Sequence, residues 1–305
     1  MRIVLIGQAA FGTRVLEALL DKGEEVVGVF TPPVAPGRPS PLAVLAESKG
    51  IALHQPAHMR EPALCSVHAS LRPDLNVMAF VTEIMPQGVL TQPRFGTIQY
   101  HPSLLPRHRG GSAINWAVIR GESKTGLTVF WPDKGIDTGP VLLQKEVGID
   151  PDDTTGSLYF GKLLPLGVEA MLEAVDMVRR GVAPRIPQDE SQATCEPLCT
   201  DEVTVIDWAK PVAEVYNLIR GANPSPGAST TLRGTRLKIL DAARLAQPAG
   251  IAPGTVTAIG TEGFVVAAEG GAILVERVLT PGTPKAPACE FAAACGLRVG
   301  ERLGQ

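Results

Sequence analysis

The first half of the chain alternates short apolar runs with amphipathic stretches. Residues 2–6 (RIVLI) form a run rich in Val and Ile, then Gly7 and a stretch whose apolar residues recur at helical spacing. This pattern indicates strand, turn and helix. The same reasoning predicts further strands over 24–30, 75–80, 95–100, 126–131 and 140–147, and helices over 41–50, 112–121 and 154–180. Such alternation predicts an α/β fold built on a doubly wound, mostly parallel, Rossmann-like sheet.

The pattern changes after Gly181. Residues up to 203 are polar and proline-rich without periodicity, and beyond a predicted helix at 211–221 come four short apolar runs separated by Gly and Pro: RLKIL, GTVTAIG, GFVVAA and AILVERVL. This spacing is typical of a small β-barrel, OB-like in size. We therefore predict a first domain over 1–183, a linker over 184–203 and a C-terminal β-barrel domain over 204–305.

Composition narrows the class of protein. The chain has 305 residues, 45% of them hydrophobic, a net charge of −3 and five cysteines. It shows no apolar run long enough to span a membrane, no signal peptide and no paired CxxC, so we expect a cytoplasmic protein with reduced thiols and no membrane partner. The charge gives no general attraction for nucleic acid.

The first turn argues against a dinucleotide cofactor. Residues 7–12 (GQAAFG) lack the GxGxxG fingerprint, and Thr31 stands where an acidic residue would follow the second strand. We therefore expect no nicotinamide and attribute Gly7 and Gly12 to a tight turn and close helix packing.

Two loops after later strands carry the candidate chemistry. Residues 99–111 crowd polar and cationic groups into one loop, and residues 133–140 form a turn-rich one. One helix and one strand separate them, so we expect His101 and Asp137 to meet at one sheet edge, where a carboxylate orients an imidazole for acid–base chemistry. Taken singly, His101 could be a structural histidine and Asp137 an Asx-turn residue bonded to Gly139.

Several segments together resemble a known family. They are HPSLLPRHRGGSAINWAVIRG, FWPDKGIDTGPVLLQKE, DDTTGSLY, IDWAKP and IRGANPSPGA. The chain resembles, over nearly its whole length, the folate-dependent formyltransferases, which include methionyl-tRNA formyltransferases. In these segments its sequence is most similar to the N-terminal hydrolase domain of 10-formyltetrahydrofolate dehydrogenase. The resemblance implies an enzyme whose first domain is catalytic and whose co-substrate is 10-formyltetrahydrofolate, with no metal.

The resemblance also implies site residues. His101 and Asp137 match the family's histidine and aspartate, and Gln99 stands where the transferases have asparagine. Gln99 still offers an amide donor, but its extra methylene moves that donor, and a misplacement of about 1 Å can cost ~10²-fold in rate. The residues expected to shape the folate site are Ser103, Leu104, Leu105, Pro106, Met85, Asp133, Gly135 and Ile136.

Three functions remain open at this stage: formyl transfer to an amine, hydrolysis of 10-formyltetrahydrofolate to formate and tetrahydrofolate, and non-catalytic folate binding. A tRNA acceptor lacks support from charge, since TPPVAPGRPSP contains only Arg38 where bacterial methionyl-tRNA formyltransferases carry a basic insertion. Phosphate contacts would then fall to Arg233, Arg236 and Lys238 on the barrel. A separate aldehyde dehydrogenase domain is not expected.

Overall fold

The computed structural model describes residues 1–33, 40–246 and 250–304, so Arg38 lies outside the described residues. The chain forms two compact units. The first comprises Met1–Gly111, Gly126–Val147 and Phe160–Glu196, and the second comprises Ser112–Thr125, Gly148–Tyr159 and Pro197–Gln305. The domain boundaries drawn from the sequence stay a prediction.

The first unit is built on a seven-stranded sheet. In chain order its strands are β1 (Arg2–Gly7), β2 (Glu25–Phe30), β3 (Leu53–His54), β4 (Leu75–Ala79), β5 (Thr97–His101), β6 (Lys124–Phe130) and β7 (Val141–Gly148). Their spatial order is β3-β2-β1-β4-β5-β6-β7, and the pairs among β1 to β5 are parallel. The strand order reverses between β1 and β4, where open α/β sheets commonly bind ligands.

One strand departs from the parallel pattern. β6 runs antiparallel to β5, with Gln99 opposite Phe130 and His101 opposite Thr128. The end of β6 therefore lies beside Gln99 and not beyond the carboxyl end of β5, as a parallel strand would place it. The sequence could not reveal this, because a buried strand has the same apolar pattern in either direction.

Nine helices occur in the part of the chain that the structure describes: α1 (Ala9–Asp21), α2 (Pro41–Ser48), α3 (Pro62–Ser70), α4 (Gln87–Thr91), α5 (Ala113–Ile119), α6 (Thr155–Leu158), α7 (Leu164–Arg179), α8 (Val212–Ala222) and α9 (Ala288–Cys295). On α1, Phe11, Val15 and Leu19 recur at helical spacing and are fully buried in the main core of the first unit. Among these described helices, none combines the length and the apolar character needed to cross a membrane.

The helix predicted over 154–180 is not uniform. A π-helical turn at Tyr159–Leu163 separates α6 from α7. Pro165 has no N–H to donate to the carbonyl four residues earlier, at Gly161, so a regular α-helical hydrogen bond is lost there. The predicted helix is thus present, with a π-helical turn within it.

The second unit contains a separate antiparallel sheet of short strands. They are β8 (Ala228–Leu232), β9 (Thr235–Leu245), β10 (Val256–Ile259), β11 (Phe264–Ala268), β12 (Gly271–Leu279) and β13 (Ala286–Pro287). The order is β10-β11-β12-β9-β8, and β13 pairs with β12. Two isolated bridges, Leu232 to Leu303 and Thr255 to Arg302, join both ends of this path to one C-terminal segment.

Gly7 provides a test of the packing between β1 and β4. A Cβ at this position would lie 2.5 Å from the carbonyl oxygen of Ala79, an atom of a buried strand that cannot move away cheaply. We expect Gly7→Ala to destabilise the protein by about 1–3 kcal/mol through overpacking. The measurement is the urea midpoint followed by circular dichroism. Gly161→Ala is the control, because a Cβ there meets nothing within 4 Å; equal midpoints for the two variants would refute the close contact.

Candidate active site

The loop that follows β5 is fixed by buried hydrogen bonds. The Ser103 hydroxyl is fully buried and donates to the carbonyl of Arg107 at 2.6 Å. Thr128 on β6 donates to the carbonyl of Ser103 at 2.6 Å and accepts from the amide N–H of Leu105 at 3.0 Å. The loop is thereby pinned to the neighbouring antiparallel strand, which gives it the fixed geometry that a preorganised site needs.

Two further contacts hold the same loop. The Gln144 amide on β7 donates to the carbonyl of Leu105 at 2.7 Å. The Leu104 side chain packs on the backbone of Gly126, where a Cβ would come within 2.6 Å of it. Ser103, Leu104 and Leu105 are thus parts of a rigid wall.

His101 and Asp137 do come together. The Nδ1 atom of His101 lies 3.4 Å from Oδ2 of Asp137, and only 7% and 10% of the two side chains are exposed. The same carboxylate oxygen accepts from the backbone N–H of Gly110 at 2.9 Å. The other ring nitrogen, Nε2, lies 2.8 Å from the backbone carbonyl oxygen of His108.

These contacts determine where the imidazole hydrogens lie. A carbonyl oxygen only accepts, so Nε2 carries a hydrogen. In the neutral ring, Nδ1 is then an acceptor that faces another acceptor, Oδ2 of Asp137. A proton on Nδ1 would lie between these two atoms and be shared with the carboxylate, because Nε2 is engaged by the main chain.

The loop between β6 and β7 presents Asp137 through an unusual backbone. The Asx-turn residue is Asp133, whose Oδ1 accepts from the N–H of Gly135 at 3.0 Å and from the Thr138 hydroxyl at 2.6 Å. Asp137 instead has φ of +55°, in the left-handed region that costs a residue with a Cβ about 1–3 kcal/mol. Ile136 at the tip is 60% exposed, leaving an apolar side chain free at the mouth of the site.

Gln99 lies on the same side of β5 as His101, because the two residues are separated by one position along the strand. Its side chain is half-buried, and its amide makes no hydrogen bond with the described part of the protein. Two donor hydrogens are therefore available for a ligand at the edge of the His101–Asp137 pair.

Met85 is surrounded by other apolar side chains of the first unit. It is 5% exposed and belongs to a hydrophobic cluster with Met78, Val89 and Met59. Met59 in turn lines an open pocket at the reversal of strand order, together with Gly7, Gln8, Pro32 and the residues 80–83. Gly7 thus both packs against β4 and borders a cavity.

Sequence reasoning missed the residues that fasten this site from the segment before Glu196. The Gln188 amide donates to the carbonyls of Asp137 and Gly139 at 2.8 and 2.7 Å, and its oxygen accepts from Arg109. Arg109 is 5% exposed and forms an ion pair with Glu190, whose hydrogen bond raises the pKa of Arg109. The pattern of apolar residues gives no signal for these residues, because each acts through a single side chain in an irregular segment.

A second imidazole–carboxylate contact lies beside the carbonyl that binds His101. Nδ1 of His108 lies 3.6 Å from Oε1 of Glu196, with both side chains buried, and the amide of His108 donates to the Thr194 hydroxyl at 2.8 Å. The segment predicted as a linker therefore contributes, up to Glu196, to the surroundings of His101.

The cysteines of the described chain form no disulfide. Burial raises the pKa of Cys199 to about 11, so that this thiol stays protonated at neutral pH.

Comparison with known proteins gives a consistent assignment. Residues 1–175 match the family described as formyl transferase, and residues 199–296 match the formyl transferase C-terminal domain. The structure resembles that of HypX from Aquifex aeolicus in complex with tetrahydrofolic acid, with a TM-score of 0.73 at 22% identity, over 99% of this chain and 48% of that one. At this identity the likeness shows the shared fold.

Two kinds of curated relative appear. The chain is 44% identical over 242 residues to cytosolic 10-formyltetrahydrofolate dehydrogenase of Mus musculus, covering 78% of this chain but 27% of that protein. The chain thus spans about a quarter of the length of that dehydrogenase. It is 38% identical over 310 residues to methionyl-tRNA formyltransferase of Geotalea daltonii, covering 100% of this chain and 98% of that protein. The chain therefore belongs to the formyl transferase family.

Proposed function

We propose that the protein is an enzyme that takes the formyl group from 10-formyltetrahydrofolate and transfers it to an amine. One observation carries this proposal: a buried imidazole–carboxylate pair, with Nδ1 of His101 facing Asp137, lies on the same side of β5 as the Gln99 amide. Proton transfer and oxyanion stabilisation are what acyl transfer from an amide-like donor requires. The family's folate-using relatives supply the donor class.

In the reaction, the acceptor nitrogen attacks the formyl carbon and a C–N bond forms. The carbonyl oxygen becomes an oxyanion, which accepts a hydrogen bond from the Gln99 amide and shares with Asp137 the hydrogen on Nδ1 of His101. Asp137 orients the ring and receives the proton released by the amine. That proton passes to N10 of the folate as the bond from the formyl carbon to N10 breaks, leaving tetrahydrofolate and the formylated amine.

The folate is expected between two rigid loops. Ser103, Leu104, Leu105 and Pro106 would form one wall, and Asp133, Gly135 and Ile136 the other, with the exposed Ile136 side chain covering the pterin. Met85 would act through its buried cluster, as part of the apolar floor. No metal or nicotinamide enters this mechanism.

Hydrolysis is the second candidate, with water in place of the amine and formate as product. Its support lies in Gln99, which replaces the transferase asparagine, and in the sequence similarity of this chain to the dehydrogenase.

The cations suggested for binding tRNA already have acidic partners. Arg233 pairs with Glu301, and both Arg236 and Lys238 pair with Asp201. A protein that only bound folate would not require the His101–Asp137 pair.

We also propose that the antiparallel sheet of the second unit closes into an OB-like barrel. The support is the segment Arg302–Leu303, which bridges to Thr255 near β10 and to Leu232 on β8, the two open edges of the strand path. Bridging of both edges by one segment is how a small sheet removes its unpaired strands. A cytoplasmic location stays a prediction.

The test of the function follows tetrahydrofolate release from 10-formyltetrahydrofolate, with and without charged methionyl-tRNA. We expect His101→Asn and Asp137→Ala each to lower turnover by about 10²- to 10⁴-fold, because each removes the shared proton. His58→Asn, an exposed histidine, is the matched control. Near wild-type rates in both site variants would refute the assignment. Release that requires the tRNA indicates transfer to it, whereas equal release without an acceptor indicates hydrolysis.

The paired cations of the second unit generate a separate expectation. The hydrogen bond from Lys238 holds the pKa of Asp201 below its usual value, so this carboxylate is charged and neutralises its partners at neutral pH. We expect Asp201→Asn to free Arg236 and Lys238 and to raise the salt concentration at which the protein elutes from heparin. Asp207→Asn is the control, because within the described parts of the chain the Asp207 side chain accepts only from the Ala209 N–H; this variant should elute as wild type. Unchanged elution of Asp201→Asn would show that these cations are not masked.

A further inference from the structure

Gln188 uses every hydrogen-bonding group of its side chain at the back of the Asp137 loop. Its two N–H groups donate to the carbonyls of Asp137 at 2.8 Å and Gly139 at 2.7 Å. Its oxygen accepts from Nε of Arg109 at 3.1 Å and from a terminal nitrogen at 2.7 Å. One side chain thereby joins the two loops that carry the reacting groups.

The orientation of this amide is imposed by Arg109. A guanidinium group has only donors, so the oxygen of Gln188 must face it and the NH₂ group must face the two carbonyls. Arg109 cannot turn away, because Glu190 binds it through two hydrogen bonds, at 2.9 and 2.7 Å. Its backbone is also fixed, with its N–H donating to the carbonyl of Thr194 at 2.9 Å.

The two carbonyls belong to a stretch of main chain with little freedom. Asp137 has a left-handed backbone, and a Cβ on Gly139 would lie 1.8 Å from the carbonyl oxygen of Trp131. A conformation that costs free energy persists only where its surroundings hold it. The carboxylate of Asp137 lies 3.4 Å from His101 in this conformation, so a change in φ would move it away.

We propose that Gln188 is a positioning residue for the reaction: by binding the carbonyls of Asp137 and Gly139, it holds the backbone that carries the Asp137 carboxylate to His101. The inference rests on the proposed function and adds a residue outside the reacting pair. Gln188 touches no reacting atom and acts through Asp137.

The sharpest variant is Gln188→Glu, which preserves size and the acceptor toward Arg109. It replaces the NH₂ donor by an oxygen that faces two carbonyl oxygens, so the loop is repelled instead of held. We expect kcat to fall by about 10- to 100-fold, the effect of a displacement near 1 Å, with KM for 10-formyltetrahydrofolate changed less. Gln192→Glu, an exposed change of the same chemistry in the same segment, should retain wild-type kcat.

A pH profile separates positioning from general damage. As the pH falls, the new carboxyl group takes up a proton and can donate again to one carbonyl. The ratio of variant to wild-type kcat should therefore rise toward acidic pH, which a misfolded protein would not show. A ratio that stays flat, or a variant kcat equal to wild type, would overturn the inference.

Combination with Asp137→Ala tests the route of the effect. Because Gln188 acts through Asp137, adding Gln188→Glu to Asp137→Ala should lower the single-turnover rate by less than about twofold more. Losses that multiply would contradict the inference.

A measurement independent of activity covers the case in which wild-type protein releases no tetrahydrofolate with any acceptor, so that the proposed function fails. The ¹⁵N resonances of the His101 imidazole then test the positioning role of Gln188: Gln188→Glu should shift the Nδ1 resonance and Gln192→Glu should not. Identical spectra would refute positioning independently of activity.

Discussion

The hydrogen bond between Nε2 of His101 and the carbonyl of His108 is the contact on which the rest of the site depends. At 2.8 Å it requires a hydrogen on Nε2, and it thereby leaves Nδ1 as the nitrogen that faces Asp137. His108 can present its carbonyl because its own φ is +54° and its amide is tied to Thr194. A single main-chain acceptor thus selects which side of the imidazole is available to a substrate.

This arrangement needs three separate stretches of chain. The loop after β5 supplies His101 and Gly110, the loop after β6 supplies Asp137, and the segment before Glu196 supplies Gln188. Several polar groups find a partner in another stretch: the Asp137 carboxylate accepts from Gly110, and the Gln188 amide donates to Asp137. Such pairing matters because an unsatisfied buried donor or acceptor costs about 1–3 kcal/mol. The functional pair is therefore rigid because the loops are bonded to one another, although none is regular in structure.

The antiparallel course of β6 explains how the pair meets. We expected the two loops to meet because one helix and one strand separate them, and α5 and β6 do so. Because β6 runs antiparallel and ends with Phe130 opposite Gln99, the following loop folds back to bring Asp137 to His101. The predicted meeting is confirmed.

The sequence by itself determined most strands and helices of the first unit, though not β3, α3 or α4. It also determined the α/β class, the short strands of the second unit, and the two loops that hold His101 and Asp137. Those features are local: apolar periodicity and Gly- or Pro-rich turns reflect burial and backbone preference at nearby positions. Only the tertiary structure decided the direction of β6, the left-handed backbone of Asp137 and the roles of Arg109, Gln188 and Glu190. Each of these depends on a hydrogen bond between residues distant in sequence, such as Gln188 and Asp137, and such pairing leaves no periodic trace in the chain.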